Sequence, residues 1–243
     1  MKIALITGVS KGLGKSLAIA LHEMNISVIG VSRSKPDFPI DHWIEADISK
    51  ESQRDEINEQ ILKITPVIDI LINNAGIGLF NKWEDLDEGD LRKTFELNFF
   101  VPYLLTRNFL PQLKQSKGTI INISSVAGIY PVPKMGGYCA SKYALNAFSD
   151  TIRTELKSTG VNVLNVILGK INTQFQEHAL GNNNEIPGNL CEIAAEKAAR
   201  KIIKACINRK KTLIYPNFYK LIIFLVKTFP GMYDLYTRKK WNL

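Results

Sequence analysis

Cysteine is scarce in this chain of 243 residues, which has only Cys139, Cys191 and Cys206. The odd count, without metal-ligand spacing, excludes a disulfide framework and offers no metal centre. It points to a reducing compartment, the cytoplasm. Internal repeats and long low-complexity tracts are also missing, so the chain is neither a repeat array nor a biased linker. Met1–Gly8 opens like a signal peptide, but its apolar run stops at Thr7. A buried strand is the better reading than a targeting segment. The apolar run Leu221–Val226 is far too short for a bilayer, which needs ~20 residues. Acids are almost absent from the C-terminal end: between Asn208 and Leu243 eight Lys and Arg residues stand against Asp234 alone. Of the formal net charge of +8, the tail therefore carries +7 and the body +1.

What is present is the composition of a globular domain, 45% hydrophobic, with enough chain for a sizeable core. Lys2–Ile6 is a continuous apolar run of the kind buried on both faces of a parallel sheet. It leads into Thr7-Gly8-Val9-Ser10-Lys11-Gly12-Leu13-Gly14 and then a helix to about Met24. Strand, glycine turn and helix aim N-terminal helix amides at a phosphate, and the glycines let backbone approach it. A second strand, Ser27–Val31, ends in Ser32-Arg33-Ser34. An acid there would bond the ribose hydroxyls of NAD. Its absence, with Arg33 at that point and Lys11 in the loop, favours the 2′-phosphate of NADP.

Further strands are read at Trp43–Ile48, Val67–Ile72, Gly118–Ile123, Val161–Ile167 and Thr212–Tyr215. The proline-rich stretch from Lys35 to His42 is too short for a crossover helix. Asp47 either bonds an adenine amino group or caps the helix from about Lys50 to Lys63. Asn73-Asn74-Ala75-Gly76 closes the fourth strand, where doubly wound sheets bind ligands. One long apolar helix is predicted from about Leu91 to Leu113. Its buried Asn98 must be hydrogen-bonded, for structure or for function. Gln174–Asn189 reads as a mobile segment over the site, and Cys191–Ile207 as a helix.

Tyr138 and Lys142 are four residues apart in a stretch whose apolar positions recur at helical spacing, so they share a face one turn apart. A tyrosine near pKa ~10 is a poor proton carrier at neutral pH. A neighbouring ammonium favours the phenolate. Bringing the value to ~7 takes roughly 4 kcal/mol, within reach of a lysine and a second positive charge.

Together Thr7-Gly-x-x-x-Gly-x-Gly14, Asn73-Asn-Ala-Gly76, Asn98, Ser125 and Tyr138-x-x-x-Lys142 resemble the short-chain dehydrogenase/reductase (SDR) family in its NADP-preferring form, over about residues 1–216. The resemblance implies a single α/β domain with a doubly wound, Rossmann-type parallel sheet of about seven strands and helices on both faces. It implies an NADP(H)-dependent oxidoreductase moving a hydride between nicotinamide and a small-molecule carbonyl or alcohol. Tyr138 would be the general acid and Lys142 would lower its pKa and hold the nicotinamide ribose. Ser125, thirteen residues before Tyr138, would bond the substrate oxygen, and Asn98 would hold a relay water. Gly8, Ser10, Lys11, Gly12, Leu13, Gly14, Arg33, Asp47, Ile48, Asn74, Ala75, Gly76, Gly169, Ile171 and Thr173 would line the cofactor. One departure is Leu168-Gly169 where the family has Pro-Gly, which loosens the turn beside the nicotinamide. The family also implies a homodimer or homotetramer, through the helices carrying Asn98 and Tyr138. A 3-oxoacyl-carrier-protein reductase is a rival reading, and an NADP-binding sensor or scaffold without turnover is a second.

The extension 217–243 mixes aromatics, aliphatics and cations. It suits peripheral contact with an anionic membrane and a lipophilic substrate, or packing on its own domain or a partner subunit. Its cations alternate with aliphatics, which argues against nucleic acid.

Overall fold

The computed structural model describes residues 1–182 and 192–241. Seven parallel strands form the central sheet: β1 (Ile3–Thr7), β2 (Ser27–Ser32), β3 (His42–Glu45), β4 (Ile70–Asn73), β5 (Thr119–Ser125), β6 (Asn162–Leu168) and β7 (Thr212–Tyr215). Their spatial order is β7-β6-β5-β4-β1-β2-β3. The chain therefore leaves the centre in one direction after β1 and in the other after β4. The crevice between those strands is where open α/β sheets bind ligands.

The apolar strand runs are explained by cover on both faces. Side chains alternate across a strand. Ala4 and Ile6 accordingly pack with Leu17 and Leu21 of α1 (Gly12–His22) and Ile202 of α7 (Ala195–Ile207). Leu5 points the other way, to Ile57 and Ile61 of α2 (Glu51–Ile64). No helix lies between β2 and β3, as the proline-rich stretch predicts. The predicted helix at Cys191–Ile207 begins at Ala195, and Cys191 lies outside the described residues.

The single helix predicted over Leu91–Leu113 is corrected. The segment is α3 (Glu88–Phe95), a π turn (Glu96–Phe100), α4 (Val101–Asn108) and α5 (Leu110–Ser116). Pro102 and Pro111 stand at the first turns of α4 and α5, where a missing N–H is tolerated and an interior position is not. Phe109, at φ −95° and ψ 7°, separates them. A π turn breaks the regular i→i−4 ladder and is frequent at functional sites. Here it holds Asn98.

Two helices close the chain, α8 (Tyr219–Thr228) and α9 (Pro230–Trp241). Tyr219 is buried against Val126 and Ile167, and Tyr233 donates to the Pro131 carbonyl at 2.6 Å. No helix among the described residues is long and apolar enough to cross a membrane.

Candidate active site

A cavity of about 1210 Å³ opens along the C-terminal edge of the sheet. The Gly8–Gly14 loop forms part of its wall. Gly8 adopts φ 70°, and a Cβ on Gly14 would lie 2.0 Å from the Gly8 carbonyl oxygen. Backbone can thus fold against backbone only without a side chain at Gly14. Gly14→Ala is expected to lower stability by about 2 kcal/mol, as overpacking does, and to weaken nucleotide binding. Urea unfolding and a fluorescence titration would check both.

Asn74 holds this loop in place: its amide donates to the carbonyls of Thr7 at 2.9 Å and Gly8 at 3.1 Å. The Thr7 hydroxyl in turn accepts from the backbone N–H groups of Asn74 and Ala75, each at 3.1 Å. The start of α1 has no side-chain cap, so its first amides stay available to an anion in the cavity.

The cavity is lined by Ser10, Lys11, Gly12, Leu13, Arg33, Asp47, Ile48, Ala75 and Gly76, and by Ser125, Tyr138, Lys142, Gly169, Ile171 and Thr173. Arg33 and Lys11 are both exposed, and the Lys11 ammonium hydrogen-bonds Nε2 of His178. The reading of Asp47 as a helix cap is corrected. The N-cap of α2 is Lys50, and the Asp47 carboxylate instead accepts from the N–H and hydroxyl of Ser49, at 3.1 and 2.7 Å. Burial pushes this carboxyl up, but the Ser49 bonds and the charges of Arg33 and Lys50 outweigh it and hold Asp47 below its ordinary value.

Tyr138, Lys142 and the backbone they ride on come from α6 (Gly136–Glu155). Both side chains are buried, at 6% and 5% exposure. The Lys142 ammonium donates to the Ile123 carbonyl at 3.0 Å and sits 5.9 Å from the centre of the Tyr138 ring. Ser125 Oγ accepts from the Ala127 N–H at 3.1 Å, and its hydroxyl favours the charged form of the neighbouring Tyr138. The expectation that Lys142, with a second positive charge, lowers the tyrosine pKa meets an opposing effect: burial raises Tyr138 above its ordinary value, and the neighbouring Ser125 hydroxyl pulls it back. The same burial lowers Lys142 to about 8. A low-dielectric site penalises both charged forms.

Asn98 is fully buried but does not line the cavity. Its Oδ1 accepts from the Ile77 N–H at 2.9 Å, and its Nδ2 donates to the Ile77 carbonyl at 2.9 Å and to Ser141 Oγ at 3.0 Å. It thus ties the loop after β4 to α6, one residue before Lys142.

Gly169 donates its N–H to the Tyr215 carbonyl at 3.0 Å, and a Cβ there would come within 2.1 Å of the Tyr219 ring. The expected looseness of the Leu168-Gly169 turn is thus countered by the C-terminal segment lying on it. Of the segment expected to cover the site, residues 174–182 are described. Phe175 lies with its ring centre 6.0 Å from that of Tyr138. The remainder of that expectation, 183–189, lies outside the described residues. Phe175, Tyr219 and Trp241 line the cavity from the two stretches expected over the site, though nothing local in the sequence distinguishes them from other aromatics there.

A Rossmann-type sheet carries a glycine loop at its switch point, and Ser125 and the buried Tyr138 and Lys142 line the same cavity, the arrangement of a dinucleotide-binding α/β fold. The chain belongs to the short chain dehydrogenase family, which residues 2–184 match. The short-chain dehydrogenase ptmH of Penicillium ochrochloron is 36% identical over 204 residues, 81% of this chain and 74% of that protein. The NADPH-dependent 1-acyldihydroxyacetone phosphate reductase of Schizosaccharomyces pombe is 34% identical over 199 residues, 77% of this chain and 67% of that one. A short chain dehydrogenase from Burkholderia cenocepacia J2315, solved in complex with NADP, superimposes with a TM-score of 0.83 at 25% identity, covering 98% of this chain and 99% of that one.

Proposed function

We propose that this protein is an NADP(H)-dependent carbonyl reductase or alcohol dehydrogenase that works mainly in the reductive direction on a lipophilic substrate. The observation that carries the reading is that Ser125, Tyr138 and Lys142 line the same cavity as the glycine loop.

The residues fit the nucleotide. The uncapped start of α1 and the Gly8–Gly14 cradle suit a pyrophosphate, Asp47 and Ile48 an adenine, and Arg33 and Lys11 a 2′-phosphate. The structural neighbour holding NADP and the relative named as NADPH-dependent support the same choice. NADP(H) supplies or takes up the hydride when bound. Ser125 positions the carbonyl oxygen with its hydroxyl. Tyr138 delivers a proton to that oxygen as a hydride reaches the carbon. Burial keeps the phenol protonated at neutral pH, and a positive charge beside it would bring its pKa toward the operating pH, as general acid catalysis needs. Lys142, held on the Ile123 carbonyl, would hold the nicotinamide ribose and return a proton toward Tyr138. Asn98 positions Lys142 through Ser141 and the Ile77 loop, and a relay water at the π turn completes the path.

Near Tyr138 the cavity has apolar lining: Val132, Met135 and Leu180 pack in its cluster, and Phe175 lies beside its ring. This favours a carbonyl compound with a hydrophobic body, and the acylated substrate in the name of the S. pombe relative is of that kind. A homodimer or homotetramer through the segments carrying Asn98 and Tyr138 belongs to the same reading, supported by the exposed Phe100, Tyr103 and Tyr143.

The test is a fluorescence titration with NADPH and NADH. NADPH is expected to bind more tightly, and Arg33→Ala to weaken it by about 10- to 100-fold while leaving NADH unchanged. Equal affinity for both cofactors would remove the NADP assignment. Absence of binding by either would remove the enzyme.

A further inference from the structure

The C-terminal helices leave an unusual surface. α8 reads Tyr-Lys-Leu-Ile-Ile-Phe-Leu-Val-Lys-Thr, apolar on almost every face, a pattern expected of a helix buried all round. Only one side is covered: Tyr219 is buried and Ile222 packs on the same cluster. The other side is bare. Leu221 is 62% exposed and Phe224 61%, and α9 adds Met232, Leu235 and Tyr236 at 61%, 68% and 58%. This clustering is not the scattered exposure that ordinary surfaces show.

The same two helices are basic. Lys220, Lys227, Arg238, Lys239 and Lys240 are all exposed, with Asp234 the only acid on the two helices. We propose that α8 and α9 form a docking surface for an anionic lipid bilayer, lying in the interface with Leu221, Phe224 and Leu235 inserted and the cations at headgroup level. Charge decides between occupants. A second copy of this face would press like charges together, whereas an anionic leaflet satisfies them. α8 is only ~15 Å long at 1.5 Å per residue, against a hydrocarbon core of ~30 Å, so the contact is interfacial. The surface adjoins the cavity, which Tyr219, Lys240 and Trp241 help to line. A docked protein thus holds its cavity beside the membrane.

The test is flotation of the full-length protein with phosphatidylcholine vesicles, with and without phosphatidylserine. It is read by protein recovery, independent of turnover. The protein is expected to float with the phosphatidylserine vesicles at least about tenfold better than with neutral ones, and to be released by high salt. Phe224→Glu combined with Leu235→Glu, both at exposed positions, is expected to abolish flotation while NADPH affinity and the thermal transition stay as in the wild type. Failure of the wild-type protein to float, or equal flotation of the double variant, would overturn the proposal. So would dissociation of a wild-type oligomer by the double variant in size-exclusion chromatography, since the face would then be an interface between copies.

Discussion

Tyr138→Phe is expected to lower kcat for carbonyl reduction by about 10²- to 10⁴-fold, the range that general acid catalysis contributes. The substitution removes one oxygen and keeps the ring. That ring sits at 6% exposure with Phe175 beside it, so packing is preserved and no cavity is created. Loss of the hydroxyl's interaction with Ser125 costs about 1 kcal/mol of stability. NADPH affinity is expected to hold, because the cradle at Gly8–Gly14 and the cations Arg33 and Lys11 lie elsewhere on the cavity wall. Single-turnover kinetics with saturating NADPH separates the two effects. Retention of full turnover would show that another group delivers the proton, and Tyr138 would then be a buried structural tyrosine.

Lys142→Met is expected to abolish turnover and, against the usual direction of core substitutions, to stabilise the fold. Lys142 is 5% exposed and its pKa falls from 10.5 to about 8 through burial. At about 1.4 kcal/mol per unit, holding the ammonium inside costs roughly 3 kcal/mol at neutral pH. Loss of the bond to the Ile123 carbonyl returns about 1 kcal/mol, so a net gain of roughly 2 kcal/mol is expected. The pH dependence identifies the cause. Between about 8 and 10.5 the unfolded chain still binds a proton that folded Lys142 has released, so wild-type stability rises across this window. The variant lacks that rise, and its advantage shrinks as pH climbs toward 10.5. Cys139, raised to about 11 by burial, titrates in both proteins and cancels in the difference. Urea unfolding of both proteins at neutral pH and near pH 9.5 measures this gap. A gap that stays constant with pH would mean that packing, not charge burial, sets the difference.

Such a lysine is retained at a stability cost because the site needs a cation there, a common exchange of stability for activity. This cost is invisible in the sequence. The spacing of Tyr138 and Lys142 does put them on one face of a helix, and α6 bears that out. Spacing alone gives no sign, however, of whether coulombic attraction or desolvation sets the tyrosine pKa, since that depends on how much of the sheet closes over both groups.

Asn98 makes the same point. Its residue type inside an apolar stretch signals a satisfied buried amide. Its partners, Ile77 and Ser141, lie on two other segments. The π turn that carries it has no local signature beyond Pro102. Asp47 is the reverse case: local sequence allowed a cap, but the nearer Ser49 hydroxyl captured its carboxylate.

By itself, the sequence determined the parallel sheet, through continuous apolar runs that only two-sided burial explains, and the nucleotide cradle, through glycines spaced between a strand and a helix. Both are read from periodicity and steric need, which act over a few residues. Only the tertiary structure decided the electrostatic state of Tyr138 and Lys142, the break in the Asn98 helix, and the place of the C-terminal helices. The last of these brings Tyr219 onto Gly169 and leaves Phe224 and Leu235 facing outward. These outcomes depend on which distant side chains meet, because desolvation, hydrogen-bond competition and burial are set by the whole surroundings of a group.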